Sequence, residues 1–294
     1  MIEDFVNYLE HEKGVSAHTL RAYRSDLESF STFLLKECDM DLSNKELSSQ
    51  IVRQWVVYLY DAGLKSTSIN RRLSTLKSFY GFVTLRKKFG INPVANISLL
   101  KSEKRLPQFA SENEMNILFE VEEIYDDNFE GVRNRLVLEL FYSTGMRSGE
   151  LLSLTVELFD KHTEFIEILG KGNKKRFVPL SENVKGVLKQ YKPLRNELAV
   201  KCEDALIITS RGKKAYPKMI YNIVKHYLSA ATSLQKRSPH VIRHTFATHM
   251  LNAGADLETI KKLLGHSSLS ATQVYTHNSF EKLKKAYKNA HPRS

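Results

Sequence analysis

Two arginines in the second half of the chain could bind an anion. Arg147 follows a glycine at the predicted start of a helix, where its planar fork can point at a negatively charged group. For a lone motif of this kind, an ion pair with Glu150 on the same helix is the commoner outcome. Arg243 lies three residues after His240, so the two share one face of a helix that Pro239 opens. Bidentate contacts from Arg243 and proton exchange by His240 would both suit a phosphate ligand.

Lys171 and Tyr275 add two further reactive groups. Glycines flank Lys171 in a predicted hairpin turn, so that its ammonium can approach a phosphate closely, although a turn lysine is usually only solvated. Tyr275 follows His266 by nine residues. A tyrosine hydroxyl has a pKa near ~10, and as a nucleophile it needs nearby cations or a base. The alternative is a half-buried aromatic side chain with a hydrogen-bonded hydroxyl.

No metal site is predicted. His244 and His249 follow Arg243, but no cysteine or carboxylate completes a metal-ligand spacing, so we expect these histidines to pack or to end the helix. Cys38 and Cys202 lie far apart, which gives no indication of a disulfide scaffold. The N-terminus lacks an apolar signal core and no run approaches ~20 apolar residues, so a cytoplasmic location without a membrane partner is predicted.

The charge of the chain favours a polyanionic partner. The net charge is +11 over 294 residues, and most of the excess lies beyond residue 100, where 31 Lys and Arg stand against 22 Asp and Glu. Lysine and arginine gain free energy when they displace the counterions condensed on nucleic acid. Basic proteins are nevertheless common, so charge alone does not identify the ligand.

The periodicity predicts two domains. Residues 1–92 contain four apolar helical stripes with short connections, which indicates a helical bundle. Charged and proline-containing residues 93–109 are typical of a linker, and Ser111 with Glu114 forms a capping box that restarts helix. On the fourth helix, three cations lie off the apolar stripe and would either contact DNA or form a solvated face: Arg71, Arg72 and Lys77.

Residues 110–294 are predicted to form a mixed domain. Residues 165–169 and 177–179 are predicted strands of a hairpin, residues 206–208 are a candidate third strand, and helices dominate afterwards. An amphipathic helix over 279–290 carries Phe280, Leu283 and Tyr287 on one side. The predicted fold is therefore mainly α with a small antiparallel sheet, an N-terminal helical bundle preceding an α+β domain.

Taken together and in this order, the clusters resemble the tyrosine recombinase (lambda-integrase-like) family, and within it the Xer-type recombinases. The strings that carry the resemblance are TGMRSGEL at 144–151, GKGNKKRFVPL at 170–180, SPHVIRHTFATHML at 238–251 and LLGHSSLSATQVYTH at 263–277. It covers nearly the whole chain. Only residues 232–237 depart from the usual short turn before the third string, which concerns local loop shape.

The resemblance implies a core-binding domain, a linker and a catalytic domain that cuts DNA through a 3′-phosphotyrosyl intermediate and a Holliday junction. It implies six catalytic residues, with Glu150 supporting the first of them: Arg147, Lys171, His240, Arg243, His266 and the nucleophile Tyr275. It implies no metal, ATP or other cofactor, because cationic side chains provide the charge and the phosphotyrosyl bond conserves the phosphodiester.

The partners implied are double-stranded DNA with a specific core site and three further subunits. The tetramer would be either a homo-tetramer or a hetero-tetramer with a paralogous recombinase. The helix over 279–290 would either dock into a neighbouring protomer or fold onto its own domain. Chromosome-dimer resolution and integration of a mobile element both fit, and a DNA-relaxing topoisomerase or a silent DNA-binding regulator are the competing interpretations.

Overall fold

The structure is a computed structural model that describes residues 1–293 apart from 45, 88–91, 102–107, 162–163, 171–174, 201–202 and 266–276. The chain forms two compact units, Met1–Arg105 and Leu106–Ser294. No helix in the described ranges is both long and apolar enough to cross a bilayer. The predicted fold class is confirmed, since helices dominate and two strands form one antiparallel sheet.

The N-terminal unit is a helical bundle. Its helices are α1 (Ile2–Asn7), which continues as a π-helical segment Tyr8–Glu12, α2 (Ala17–Cys38), α3 (Ser49–Asp61) and α4 (Ser66–Lys87). The Ser16 side chain accepts a hydrogen bond from the Thr19 backbone and so caps α2, as its position before the apolar stripe predicts. Large apolar side chains from all four helices fill one core, among them Phe5, Phe30, Trp55 and Phe79.

Part of the stretch predicted as linker packs in the N-terminal unit. Val94 and Ile97 are buried in its core. The Asn70 side chain donates a hydrogen bond to the Leu100 carbonyl and accepts one from its N–H, both at 2.8 Å. Residues 92–100 therefore continue the bundle as irregular chain, because two apolar side chains and a paired backbone hold them there.

The C-terminal unit is built around two buried helices. Its helices are α5 (Glu112–Glu120), α6 (Phe129–Thr144), α7 (Ser148–Leu152), α8 (Val156–Lys161), α9 (Glu182–Leu198), α10 (Pro217–Ala231), α11 (Pro239–Asn252), α12 (Leu257–Leu264) and α13 (His277–Ala290), with a 3₁₀ turn at Glu122–Ile124. The predicted capping box forms, since Ser111 and Glu114 each bind the other's backbone N–H. Helices α6 and α11 pack against each other, and Phe141 and Phe246 are fully buried.

Strands β1 (Phe165–Leu169) and β2 (Lys175–Pro179) form the sheet, with Ile168 opposite Arg176 and Ile166 opposite Val178. Both members of each of these pairs are buried. Residues 206–208 do not form the candidate third strand. Ile208 makes only an isolated bridge to Lys214, while Leu206 and Ile207 are buried in the core, so burial rather than strand pairing explains this apolar run.

Helix α13 packs against its own domain. Leu283, Tyr287 and Ala290 lie in the C-terminal core, and Lys284 forms an ion pair with Glu164 at 2.9 Å. Immediately after the helix, His291 Nε2 lies 3.0 Å from the Tyr142 carbonyl, and its Nδ1 accepts a hydrogen bond from the Arg293 backbone. These contacts select a neutral imidazole that carries its proton on Nε2.

Acid is expected to weaken this packing. Burial, with the charges of His249 and Arg293, lowers the pKa of His291 to about 4 despite the hydrogen bond to Tyr142. Below pH ~6.5 the unfolded chain gains a proton here that the folded chain does not, so the free energy of unfolding falls as the pH drops towards 4. The full contribution is about 3 kcal/mol.

Urea denaturation at several pH values measures this effect. The variant H291Q should show a shallower loss of stability than wild type between pH 6.5 and 4. The free energy of unfolding of H291Q should still fall somewhat with pH, because burial also lowers the pKa of His249. The exposed His18 on α2 offers a matched control, and H18Q should keep the wild-type slope. Equal slopes for H291Q and wild type would contradict a neutral buried His291.

Candidate active site

Arg147 and Glu150 are joined at the start of α7. The Arg147 backbone donates to Glu150 Oε2 at 2.7 Å, and Arg147 Nη1 donates to Glu150 Oε1 at 2.8 Å. Glu150 is buried, whereas 38% of the Arg147 side chain is exposed. The ion pair and an anion-binding role were alternatives in the sequence, but the geometry accommodates both. Glu150 orients the arginine from the buried side, and the exposed part of the guanidinium can meet a ligand.

Arg176 also binds both oxygens of Glu150. Its Nη1 and Nη2 donate to Glu150 Oε1 and Oε2 at 2.9 and 2.7 Å, and its Nε donates to the Leu263 carbonyl at 2.8 Å. Only 3% of Arg176 is exposed. Sequence reasoning did not single out this residue. The available signal was a charged residue two positions before buried Val178, on the inward face of a strand.

Arg243 lies on α11 and is held by two backbone carbonyls. Its Nη1 donates to Gly145 O at 2.6 Å, and its Nη2 donates to Leu264 O at 2.7 Å. The first carbonyl ends α6 and the second ends α12, so the side chain ties together three helices. A guanidinium has five N–H groups, and these carbonyls engage two of them, so up to three can meet a phosphate.

Two glycines make the close packing around these arginines feasible. Gly145 has φ 59° at the end of α6, and a Cβ there would come within 2.7 Å of Leu264 and Phe246. Gly265 has φ 65° at the end of α12, and a Cβ there would lie 3.0 Å from Arg176 Cδ. Both positions need a left-handed backbone and a close approach, which glycine alone combines at low cost.

The electrostatics of the cluster favour binding of an anion. Burial opposes ionisation of Glu150, but the hydrogen bonds and charge of Arg176, with the bonds from Arg147, lower the pKa of Glu150. Burial and then the charge of Arg147 lower the pKa of Arg243 to about 10, so that it is still a cation at neutral pH. Three arginines therefore face one carboxylate. A phosphate would relieve the repulsion between Arg147 and Arg243 that lowers this pKa.

The structure places only part of the predicted catalytic set. It brings Arg147, Glu150 and Arg243 together, and it places His240 on the exposed surface one turn before Arg243 on α11. Lys171, His266 and Tyr275 lie outside the described residues. Gly265, which ends α12 next to Arg176, is the residue that precedes His266 in the sequence.

His244 and His249 pack in the domain. His249 is buried, with Nδ1 2.8 Å from the Tyr142 hydroxyl and Nε2 2.9 Å from the Ala110 carbonyl. His244 makes an edge contact with the Phe109 ring. No group of three His, Cys, Asp or Glu residues suited to a metal ion occurs within the described ranges.

The three cations predicted on the fourth helix lie on α4 of the N-terminal unit. Arg71 Nη2 donates to Asp26 Oδ1 at 2.8 Å, and Arg72 Nη1 donates to Ser29 Oγ at 2.9 Å. Asp26 is buried and also accepts from Thr75, so Arg71 and Thr75 fasten α4 to α2. Arg71 keeps 52% of its side chain exposed, and Lys77 is half-buried. Contact of these cations with DNA stays a prediction.

Known proteins resemble this chain over almost its whole length. The model of the phage integrase family matches residues 108–282, and the model of the phage integrase N-terminal SAM-like domain matches residues 2–87. The tyrosine recombinase XerC of Staphylococcus carnosus (strain TM300) is 39% identical over 99% of this chain and 97% of its own. XerC of Chlorobaculum parvum (strain DSM 263 / NCIMB 8327) is 35% identical over 99% of this chain and 94% of its own.

Solved recombinase structures share the fold. The XerH recombinase in a post-cleavage complex aligns with TM-score 0.74 at 24% identity, over 97% of this chain and 84% of that one. The Tn1549 transposon integrase aligns with TM-score 0.71 at 18% identity, over 96% of this chain and 97% of that one. The family model over residues 108–282 and the XerC relatives show that the chain belongs to the phage integrase family. It is a site-specific recombinase of the tyrosine type and, within that type, a recombinase of the Xer kind.

Proposed function

We propose that Tyr275 is the nucleophile of this recombinase. Its hydroxyl oxygen forms a bond to the scissile phosphorus, the bond to the 5′-oxygen breaks, and the strand is left as a 3′-phosphotyrosyl ester. His240 takes or orients the tyrosyl proton, and Lys171 protonates the departing 5′-oxygen. The reverse reaction rejoins DNA without an external energy source, because the new bond is again a phosphodiester.

The arginine cluster is the observation that carries this proposal. Attack at phosphorus gathers negative charge on the non-bridging oxygens, and preorganised cations stabilise that charge most when they need not move. Arg243 is buried and fixed by the Gly145 and Leu264 carbonyls, and Arg147 is fixed by Glu150. His266, which follows Gly265, would be the third group that binds the non-bridging oxygens.

DNA and further subunits are the proposed partners. The relatives in solved structures include XerH bound to a palindromic difH substrate and a lambda integrase tetramer bound to a Holliday junction. For this chain we propose exchange between two specific core sites in a tetramer of identical or paralogous subunits. We propose chromosome-dimer resolution rather than integration of a mobile element, because the resemblance to Xer-type recombinases implies that role and XerC proteins match 99% of this chain.

Regulation by a neighbouring subunit would act through α13. In the single chain its apolar side is buried against its own domain. Docking into a neighbouring protomer, as the resemblance implies, would therefore first require release of Leu283 and Tyr287. Such an exchange would connect subunit contacts to the segment that carries Tyr275, which ends just before α13 begins.

Covalent trapping on nicked DNA tests the proposal. A pool of nicked duplexes with a randomised core is incubated with the chain, covalent adducts are isolated under denaturing conditions, and the adduct is digested to identify the attached residue. We expect the DNA-linked peptide to contain Tyr275. Sequencing the trapped DNA identifies the core site, and two intact duplexes with that site should then yield four-way junctions and exchanged strands.

Two other results would assign a different function. Relaxation of supercoiled DNA without strand exchange would indicate a topoisomerase that uses the same phosphotyrosyl chemistry. Binding to DNA without any covalent adduct would indicate a regulator whose catalytic fold is silent.

A further inference from the structure

Arg176 is a buried charged side chain that packs against the site. Three of its N–H groups donate to Glu150 Oε1, Glu150 Oε2 and the Leu263 carbonyl, all within 2.9 Å. Each Glu150 oxygen also accepts one bond from Arg147. The carboxylate is thus shared between an arginine that is nearly fully buried and one that is partly exposed, which gives it four donors and a single orientation.

The carbonyl that Arg176 binds belongs to the last turn of α12. The last carbonyls of a helix have no partner within the helix, and cations there are favourable. Arg176 binds the Leu263 carbonyl and Arg243 binds the next one, that of Leu264. Gly265 then turns the chain, and a Cβ at this position would lie only 3.0 Å from Arg176 Cδ. These contacts fix the point from which the chain continues to His266.

Arg176 also controls the charge that Arg147 presents. If Arg176 were absent, Arg147 would neutralise more of the negative charge of Glu150, and Arg147 would attract a phosphate less strongly. Glu150 would also lose two of its four bonds in a buried setting, so it could rotate away from its present position. Both effects would weaken the binding of a phosphate by Arg147. Arg176 is only 3% exposed and does not contact the phosphate itself.

We propose that Arg176 is a positioning residue of the recombinase, which orients Arg147 through Glu150 and fixes the exit of the chain towards His266 through the Leu263 carbonyl. The inference rests on the proposed function, in which Arg147 and His266 act on the scissile phosphate. It differs from a merely structural ion pair, because loss of Arg176 would impair the chemical step more than folding or DNA affinity.

The test compares two substrates in the full-length chain. One is the nicked duplex of the trapping experiment, and the other carries a methylphosphonate at the scissile position. The methyl group replaces one non-bridging oxygen and removes the negative charge that the arginines neutralise. The variant R176K keeps the charge but has a single ammonium in place of three suitably directed N–H groups. R147A serves as the reference for loss of an arginine that binds the phosphate directly.

We expect R176K to form the covalent adduct about 100-fold more slowly than wild type on the phosphodiester, with DNA affinity changed less than about threefold. On the methylphosphonate the defects of both R176K and R147A should shrink to roughly tenfold or less. The double variant R147A/R176K should be little slower than R147A, since Arg176 acts through Arg147 in large part.

Arg195 provides a matched structural control. It is 4% exposed and donates to the Ala205 and Glu203 carbonyls in the same domain, and none of its described bonds involves Glu150 or Arg147. R195K should lower the melting temperature yet leave the cleavage rates on both substrates close to wild type. Rates are compared below the melting temperature of each variant, and R176Q replaces R176K if the lysine variant does not fold.

Two results would overturn the positioning role. One is a defect of R176K that is equally large on both substrates. The other is a cleavage rate that falls in R176K only as far as its thermal stability does, as in R195K. Failure of the proposed function would give a different result, because wild type itself would then form no adduct on the phosphodiester. A wild-type adduct with an unimpaired R176K would reject the inference about Arg176 alone.

Discussion

The variant Y275F is expected to form no detectable covalent adduct with DNA and to bind DNA as tightly as wild type. The substitution removes one oxygen atom and keeps the aromatic ring, so packing and overall charge are unchanged. Without that oxygen no phosphotyrosyl bond can form, and the loss is complete rather than partial. Adducts separated on denaturing gels and affinity measured by gel retardation provide the two measurements.

Tyr287 on α13 provides a matched control for Y275F. It is buried, and its hydroxyl is without a hydrogen-bond partner in the described part of the chain. Y287F therefore removes the same atom from a tyrosine that is not placed in the catalytic set, and it should cleave like wild type. A covalent adduct that persists in Y275F would assign the nucleophile to another residue.

The second large effect is expected for R243A, which should slow formation of the adduct by about 10³-fold or more and weaken DNA binding by less than about tenfold. The lost guanidinium is held in place before substrate arrives, so its value lies in stabilising charge that develops only during the reaction. Burial and then the charge of Arg147 lower the pKa of Arg243 to about 10, and a phosphate would relieve the repulsion between the two arginines.

R243A also leaves the Gly145 and Leu264 carbonyls without their donor, so part of its effect will be on stability. The variant R243K restores the charge but not the fork that reaches both carbonyls, and comparison of R243K with R195K separates catalysis from loss of a buried arginine. Single-turnover cleavage at saturating enzyme and equilibrium binding are measured for each variant. Equal losses in cleavage and binding would make Arg243 an ordinary phosphate contact.

Local chemistry explains what could be predicted from the sequence. The apolar stripes indicated the helices, and the Ser111–Glu114 box marked the start of α5. These features depend on residues within one or two turns of each other, so a linear pattern contains them. The clusters around Arg147 and Arg243 were recognisable for the same reason, because each is a short string.

Only the tertiary structure shows which partners the buried charged side chains bind. The predicted second strand began at Phe177, whereas β2 begins at Lys175, and the two additional residues turn Arg176 inward opposite Ile168. Its partners Glu150 and Leu263 lie on other elements, far away in the chain. Periodicity indicated that a position would be buried, but it could not indicate which carboxylate or carbonyl would meet a charge there.

The sequence by itself determined the class of chemistry, since the residue types and order of Arg147, Lys171, His240, Arg243, His266 and Tyr275 are properties of the chain. Only the tertiary structure decided how the two described arginines are held: Arg147 through a carboxylate shared with Arg176, and Arg243 by the carbonyls that end α6 and α12. The physical reason is that buried charges require partners with specific geometry, and those partners are brought within hydrogen-bonding distance only when distant elements pack.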